Sequence, residues 1–144
     1  MDHSMEIALA AAVAAGESVR GTTSPNPPVG AAILDRQGNL VGTGATEPAG
    51  GAHAEIVALR EAGEKAEGGT AVVTLEPCNH TGLTGPCSQA LLAAGIEFVY
   101  YCHPDPDPKA QGGADHLRQQ GVGVERLDRD VDTLRPWLTA VRRN

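Results

Sequence analysis

The stretch Ala71-Val72-Val73-Thr74-Leu75-Glu76-Pro77-Cys78 decides how the rest of the chain is read. Ala71 to Leu75 is short, apolar and rich in β-branched residues, the pattern of a buried strand. Pro77 closes it and Cys78 follows at once. Cys87 to Ala94 then reads as a helix stopped by Gly95, and Phe98 to Cys102 as the next strand. Two cysteines are thereby placed at the end of one strand and at the start of the helix after it.

Working outward, Val29 to Leu34 reads as another buried strand, and Arg36-Gln37-Gly38-Asn39 supplies a hairpin turn into a strand around Leu40 to Thr43. Met5 to Val19 carries Met5, Leu9, Ala12 and Val13 at helical spacing. Residues 53 to 66 read as a helix with Ile56, Leu59 and Ala62 on one face and Gly68-Gly69 as the stop. Downstream, Ala110 to Gln120 is helical in pattern, Val122 to Val124 is a brief strand, and Asp130 to Arg142 a last helix. The order α-β-β-α-β-α-β-α-β-α predicts a single α/β domain over residues 1–144. It is a three-layer α/β/α arrangement, with a five-stranded mixed sheet covered by helices on both faces.

The chemistry-bearing residues fall at the joints of that pattern. His53-Ala54-Glu55 starts a helix after a glycine-rich loop, while Cys78 and Cys87 flank the loop between strand and helix. An imidazole and two thiolates suit zinc, and three such ligands leave one tetrahedral position for water, as catalytic rather than structural sites do. Glu55 is too near His53 along the chain to be a comfortable ligand and well placed to trade protons with that water. Helix N-termini carry partial positive charge that favours thiolates. A lone histidine is more often a surface or core residue, and either cysteine alone a small buried hydrophobe. Their coincidence with an acid and a strand end is what makes a Zn²⁺ site. Cys102, on the strand from Phe98, reads as a structural thiol.

Composition narrows the rest. The chain has 144 residues, 11 basic and 18 acidic, for a net charge of −7, and no basic run longer than Arg142-Arg143. That excludes an extended nucleic-acid footprint. No apolar stretch approaches the roughly 20 residues that cross a bilayer. Met1-Asp2-His3-Ser4 is unlike a secretory leader, and three cysteines form an odd set. The expectation is a reduced, cytoplasmic protein.

Taken together, Thr23-Ser24-Pro25-Asn26-Pro27-Pro28-Val29-Gly30, His53-Ala54-Glu55, Thr74-Leu75-Glu76-Pro77-Cys78-Asn79-His80-Thr81-Gly82 and Pro86-Cys87 resemble the deaminase domain of riboflavin biosynthesis. This family lies within the zinc-dependent cytidine and deoxycytidylate deaminase superfamily. The likeness runs from about Ala8 to Val124 and includes Asp105-Pro106-Asp107-Pro108 before Gly112-Gly113. Eight residues separate Cys78 from Cys87, where the commoner deaminase pattern has two.

The resemblance implies a cytidine-deaminase-like fold and hydrolytic deamination of diaminohydroxyphosphoribosylaminopyrimidine, with release of ammonia. It implies zinc ligands at His53, Cys78 and Cys87, and a proton shuttle at Glu55. It further implies substrate contacts at Asn26, held between prolines, and at His80. It also implies a small-molecule pyrimidine nucleotide as substrate, assembly as a homo-oligomer, and a reductase that acts next in the pathway. That reductase is expected as a separate chain or a lost domain, with the chain up to Arg143-Asn144 read as either a free-standing deaminase or a fragment cut at the domain junction.

Two departures stand out. Thr46 occupies the position where the family usually has histidine, and Leu83 one where it usually has arginine or lysine. Arg20 or Lys109 are the candidates to supply the missing charge. The departures motivate two alternatives: a deaminase of cytidine, deoxycytidylate or guanine with the same zinc chemistry, or a non-catalytic zinc-stabilised domain.

Overall fold

The computed structural model describes residues 3–78, 87–104 and 112–138. Its elements are α1 (His3–Ser18), β1 (Gly30–Leu34), β2 (Leu40–Ala45), α2 (Ala54–Ala62), β3 (Thr70–Leu75), α3 (Cys87–Ala93), β4 (Phe98–His103), α4 (Gly113–Gln119) and β5 (Gly123–Arg126). The strands form one sheet in the order β2-β1-β3-β4-β5. β1 is antiparallel to both β2 and β3, whereas β3, β4 and β5 run parallel. This is the mixed five-stranded sheet expected from the sequence. The hairpin makes its antiparallel end, and the two β-α-β crossovers make its parallel end.

The pleat tells which helix covers which face. Gly30 sits opposite Ala45 and Gly44 opposite Ala31, so alternate positions along β1 point to opposite sides. A Cβ on Gly30 would lie 1.7 Å from the Ala12 carbonyl oxygen of α1. One on Gly44 would lie 2.4 Å from the Ala54 carbonyl oxygen of α2. α1 therefore packs on one face and α2 on the other. α3 packs beside α2, and right-handed crossovers place α4 on that same side. Ile33, Val72, Val73, Val99, Leu91 and Leu117 are fully buried between these layers. Alanines at 8, 12, 54 and 58, with no exposed surface, let the helices approach the sheet closely.

The Gly30 contact yields a direct test of this layering. Gly30→Ala is expected to lower stability to urea by about 1–3 kcal/mol or more, because neither backbone in the contact has room to move. An unchanged unfolding midpoint would mean α1 does not lie against β1 as described.

Strand ends shift by a residue or two and α4 starts only after a left-handed Gly112, but two boundaries depart most from the sequence expectation. The helix expected over residues 53 to 66 is α-helical only to Ala62, and Gly63–Ala66 tightens into a 3₁₀ turn. Gly63 takes φ of 57°, which interrupts the α-helix well before the glycine pair expected to stop it. The helix expected from Asp130 begins later. Val131 is extended, and its N–H donates to His103 Nε2 at 3.0 Å, so it is tied to β4. A 3₁₀ turn at Asp132–Leu134 comes next, and residues 135–138 are helical. Among the described residues no helix is long and apolar enough to cross a membrane.

Candidate metal centre

Three elements bring their ends to one point. His53 is the N-cap residue of α2, in extended conformation, and Glu55 lies in that helix's first turn. Cys78 follows β3 after Glu76 and Pro77, and Cys87 is the first residue of α3. The His53 Nδ1 is 3.1 Å from Cys87 Sγ and 3.6 Å from Cys78 Sγ. One donor atom from each residue lies within 4.8 Å of the others, a spacing a single ion can bridge. All three cysteines are free thiols rather than disulfide partners.

The local electrostatics fit a cation. The Cys87 backbone N–H, at the opening of α3, donates to Cys78 Sγ at 3.3 Å. The Cys87 side chain and then the His53 ring also bond to that sulfur, and together they pull the Cys78 thiol down to about 4. Cys87 shifts the other way: its proton is held by the Cys78 sulfur, and burial adds to the effect. Such a shared proton is what an ion between two sulfurs replaces, leaving both as thiolates. Glu55 is 4 % exposed. Burial first, and then the negative Cys78 sulfur, raise its carboxyl to about 7. A carboxyl poised there can both accept and return a proton near neutral pH. Cys102 is buried on β4, outside the cluster, and burial pushes its thiol up to about 11.

Residues 2–103 match the family described as the cytidine and deoxycytidylate deaminase zinc-binding region. The chain belongs to that deaminase family. Zinc is therefore the cofactor, and the donor atoms of His53, Cys78 and Cys87 are grouped closely enough to hold it. A Corynebacterium ammoniagenes riboflavin biosynthesis protein RibD is 56% identical over 141 residues, which cover 96% of this chain and 42% of that protein. A Buchnera aphidicola diaminohydroxyphosphoribosylamino-pyrimidine deaminase is 52% identical over 105 residues, 72% of this chain and 71% of that protein. A solved Thermotoga maritima deaminase/reductase has a TM-score of 0.91 and 33% identity, covering 98% of this chain and 42% of that one. The deaminase-like fold is thus shared along nearly the whole chain. The chain nevertheless spans less than half the length of the RibD protein it matches.

His80, Leu83 and Lys109 lie outside the described residues. Asn26 is half-buried in the loop before β1. Together with Arg20, Asp132, Arg135 and Trp137 it borders a cavity of about 450 Å³, which the described residues of the metal cluster do not line. The Arg20 head is shared between Glu17 at 3.1 Å and Thr133 at 3.2 Å. Arg20 thus borders the same cavity as Asn26.

Three residues carry roles that the sequence reading missed. Thr23 and Thr46 bond to the backbone around Asn26. The buried Glu76 carboxylate accepts the Ala114 N–H of α4 at 3.0 Å. Next to it, a Cβ on Gly113 would meet the Pro77 carbonyl oxygen at 1.8 Å, so α4 sits directly against the backbone leading to Cys78. An acid lodged between Leu75 and Pro77 was the available signal. A charge next to an apolar strand end needs a buried partner.

Proposed function

We propose that this domain hydrolytically deaminates diaminohydroxyphosphoribosylaminopyrimidine, exchanging a ring amino group for oxygen and releasing ammonia. The observation that carries the reading is a buried Glu55 beside converging His53, Cys78 and Cys87, in a chain 52% identical to a deaminase named for that substrate. Zinc, held by His53, Cys78 and Cys87, would supply Lewis acidity and a water of lowered pKa. Glu55 takes the proton from the attacking water and delivers it to the ring nitrogen next to the amino-bearing carbon. The same carboxyl then takes the second proton of the former water, from the hydroxyl now on that carbon, and passes it to the departing amino group, so that a carbonyl and ammonia are left and Glu55 returns ionised. Its position near neutrality suits both transfers. Asn26 offers a carboxamide with donor and acceptor to the ring edge.

The family relation of the Thermotoga protein, a deaminase joined to a reductase, supports a reductase as the partner that consumes the product. The reduced thiols fit a cytoplasmic setting.

Zinc-loaded protein incubated with the diaminopyrimidinone nucleotide should convert it with a gain of about one mass unit, seen by mass spectrometry. Cytidine, deoxycytidylate and guanine, scored by ammonia release, should be turned over far more slowly. Efficient conversion of one of those three with none of the diaminopyrimidinone nucleotide would replace this reading by theirs. No ammonia from any of them would leave a zinc-stabilised domain without this chemistry.

A further inference from the structure

The loop that carries Asn26 has a difficulty built into its sequence. Pro25, Pro27 and Pro28 restrict φ but remove three backbone donors, so this segment cannot be pinned by an ordinary ladder of N–H bonds. Two buried hydroxyls take over. Thr23, 2 % exposed, holds Asn26 from the chain before it. The Thr23 hydroxyl donates to the Asn26 carbonyl at 2.7 Å, and the Asn26 N–H donates to the Thr23 carbonyl at 2.8 Å. Thr46, 4 % exposed at the end of the hairpin, holds the chain after it. Its hydroxyl donates to the Pro27 carbonyl at 3.0 Å and accepts the Val29 N–H at 3.0 Å. The Thr46 N–H completes the link by donating to the Val29 carbonyl at 3.1 Å. One residue on, the Gly30 N–H donates to the Thr74 hydroxyl at 3.0 Å, tying the segment to β3.

We propose that Thr23 and Thr46 are paired positioning residues that fix the backbone on either side of Asn26 and so preset its carboxamide for the substrate. Thr46 thereby has a defined task at the position where the family usually has histidine: its hydroxyl is committed to the Pro27–Val29 backbone and turned away from solvent. The inference rests on the reading of Asn26 as a substrate contact.

The test is a mutant cycle on the zinc-loaded chain with the diaminopyrimidinone nucleotide, normalised to bound zinc. Thr46→Val keeps the shape and deletes the hydroxyl. It should raise KM about tenfold, the scale of one lost buried hydrogen bond, with zinc content unchanged. Thr46→Ser should restore the KM. If Thr46→Val does not fold, Thr23→Val carries the same expectation, with Thr23→Ser as its rescue. Adding the valine to Asn26→Ala should raise KM no further, because both changes act on one group. A hydroxyl that only stabilised the fold would reduce the active fraction and leave KM untouched, which would overturn the proposal. Independent, multiplying effects in the double variant would overturn it too. If Asn26→Ala itself leaves kcat/KM intact, the substrate-contact reading fails and the proposal falls with it. If Asn26→Ala is impaired but neither valine variant is, only the threonine pairing fails.

Discussion

Replacing Glu55 by glutamine is expected to lower kcat by on the order of 10²–10⁴ while zinc content and the unfolding transition of the loaded protein stay as they were. The size follows from what the carboxyl is asked to do. It lies in the first turn of α2, two residues after the N-cap His53, so the helix backbone fixes its distance from the cluster. Burial and the neighbouring sulfur bring it to about 7, where the protonated and ionised forms are both accessible at the working pH. Glutamine keeps the volume and two hydrogen-bonding atoms but cannot carry a proton from water to ring. Uniform loss of binding would appear in KM, whereas loss of proton transfer appears in kcat. Glu55→Gln activity within a few-fold of the parent, measured by ammonia release at saturating substrate, would assign the proton transfers to another group.

The fold and the cluster were legible in the sequence for the same reason: both depend on local order. The strand ending at Leu75, Cys78, Cys87 and the helix that Cys87 opens follow one another along the chain, so spacing alone placed the two cysteines at element ends. His53 and Glu55 could be added because a helix start is also a local signal. What could not be read are contacts that depend on closure of the sheet. Thr46 meets Pro27 and Val29 only because β2 folds back along β1, and Glu76 meets Ala114 only because α4 returns over the end of β3. The misplaced boundaries have a related origin. The helix stop was expected at Gly68-Gly69, but Gly63, inside the expected span, already takes a positive φ, and the 3₁₀ turn that follows leads the chain towards β3. The start expected at Asp130 failed because His103, a residue from another strand, holds the Val131 N–H.

Removing one metal ligand is the second large effect, and it separates holding the ion from using it. Cys78→Ser and His53→Ala should each weaken zinc binding by more than the roughly 10–100-fold that loss of an outer-shell partner costs. Activity should fall to background with the metal. Serine is the informative choice at Cys78, because it keeps the size but replaces an easily ionised sulfur by a hard hydroxyl that stays protonated at neutral pH. The Cys78 sulfur is also the acceptor for the Cys87 N–H, so its loss disturbs the opening of α3 as well as the ion. The unfolding transition of Cys78→Ser should consequently become insensitive to added zinc, since ligand binding stabilises only a fold that can hold it. Cys102→Ser serves as the matched control: the same replacement, at a buried thiol on β4 outside the His53–Cys78–Cys87 group, should leave about one zinc per chain. Elemental analysis and competition with a chelator read both outcomes. Stoichiometric, tightly held zinc in Cys78→Ser would show that the ion sits elsewhere, and Glu55 would then have no water to work on. Loss of zinc together with an intact Cys102→Ser control is the pattern that three converging donors within 4.8 Å require.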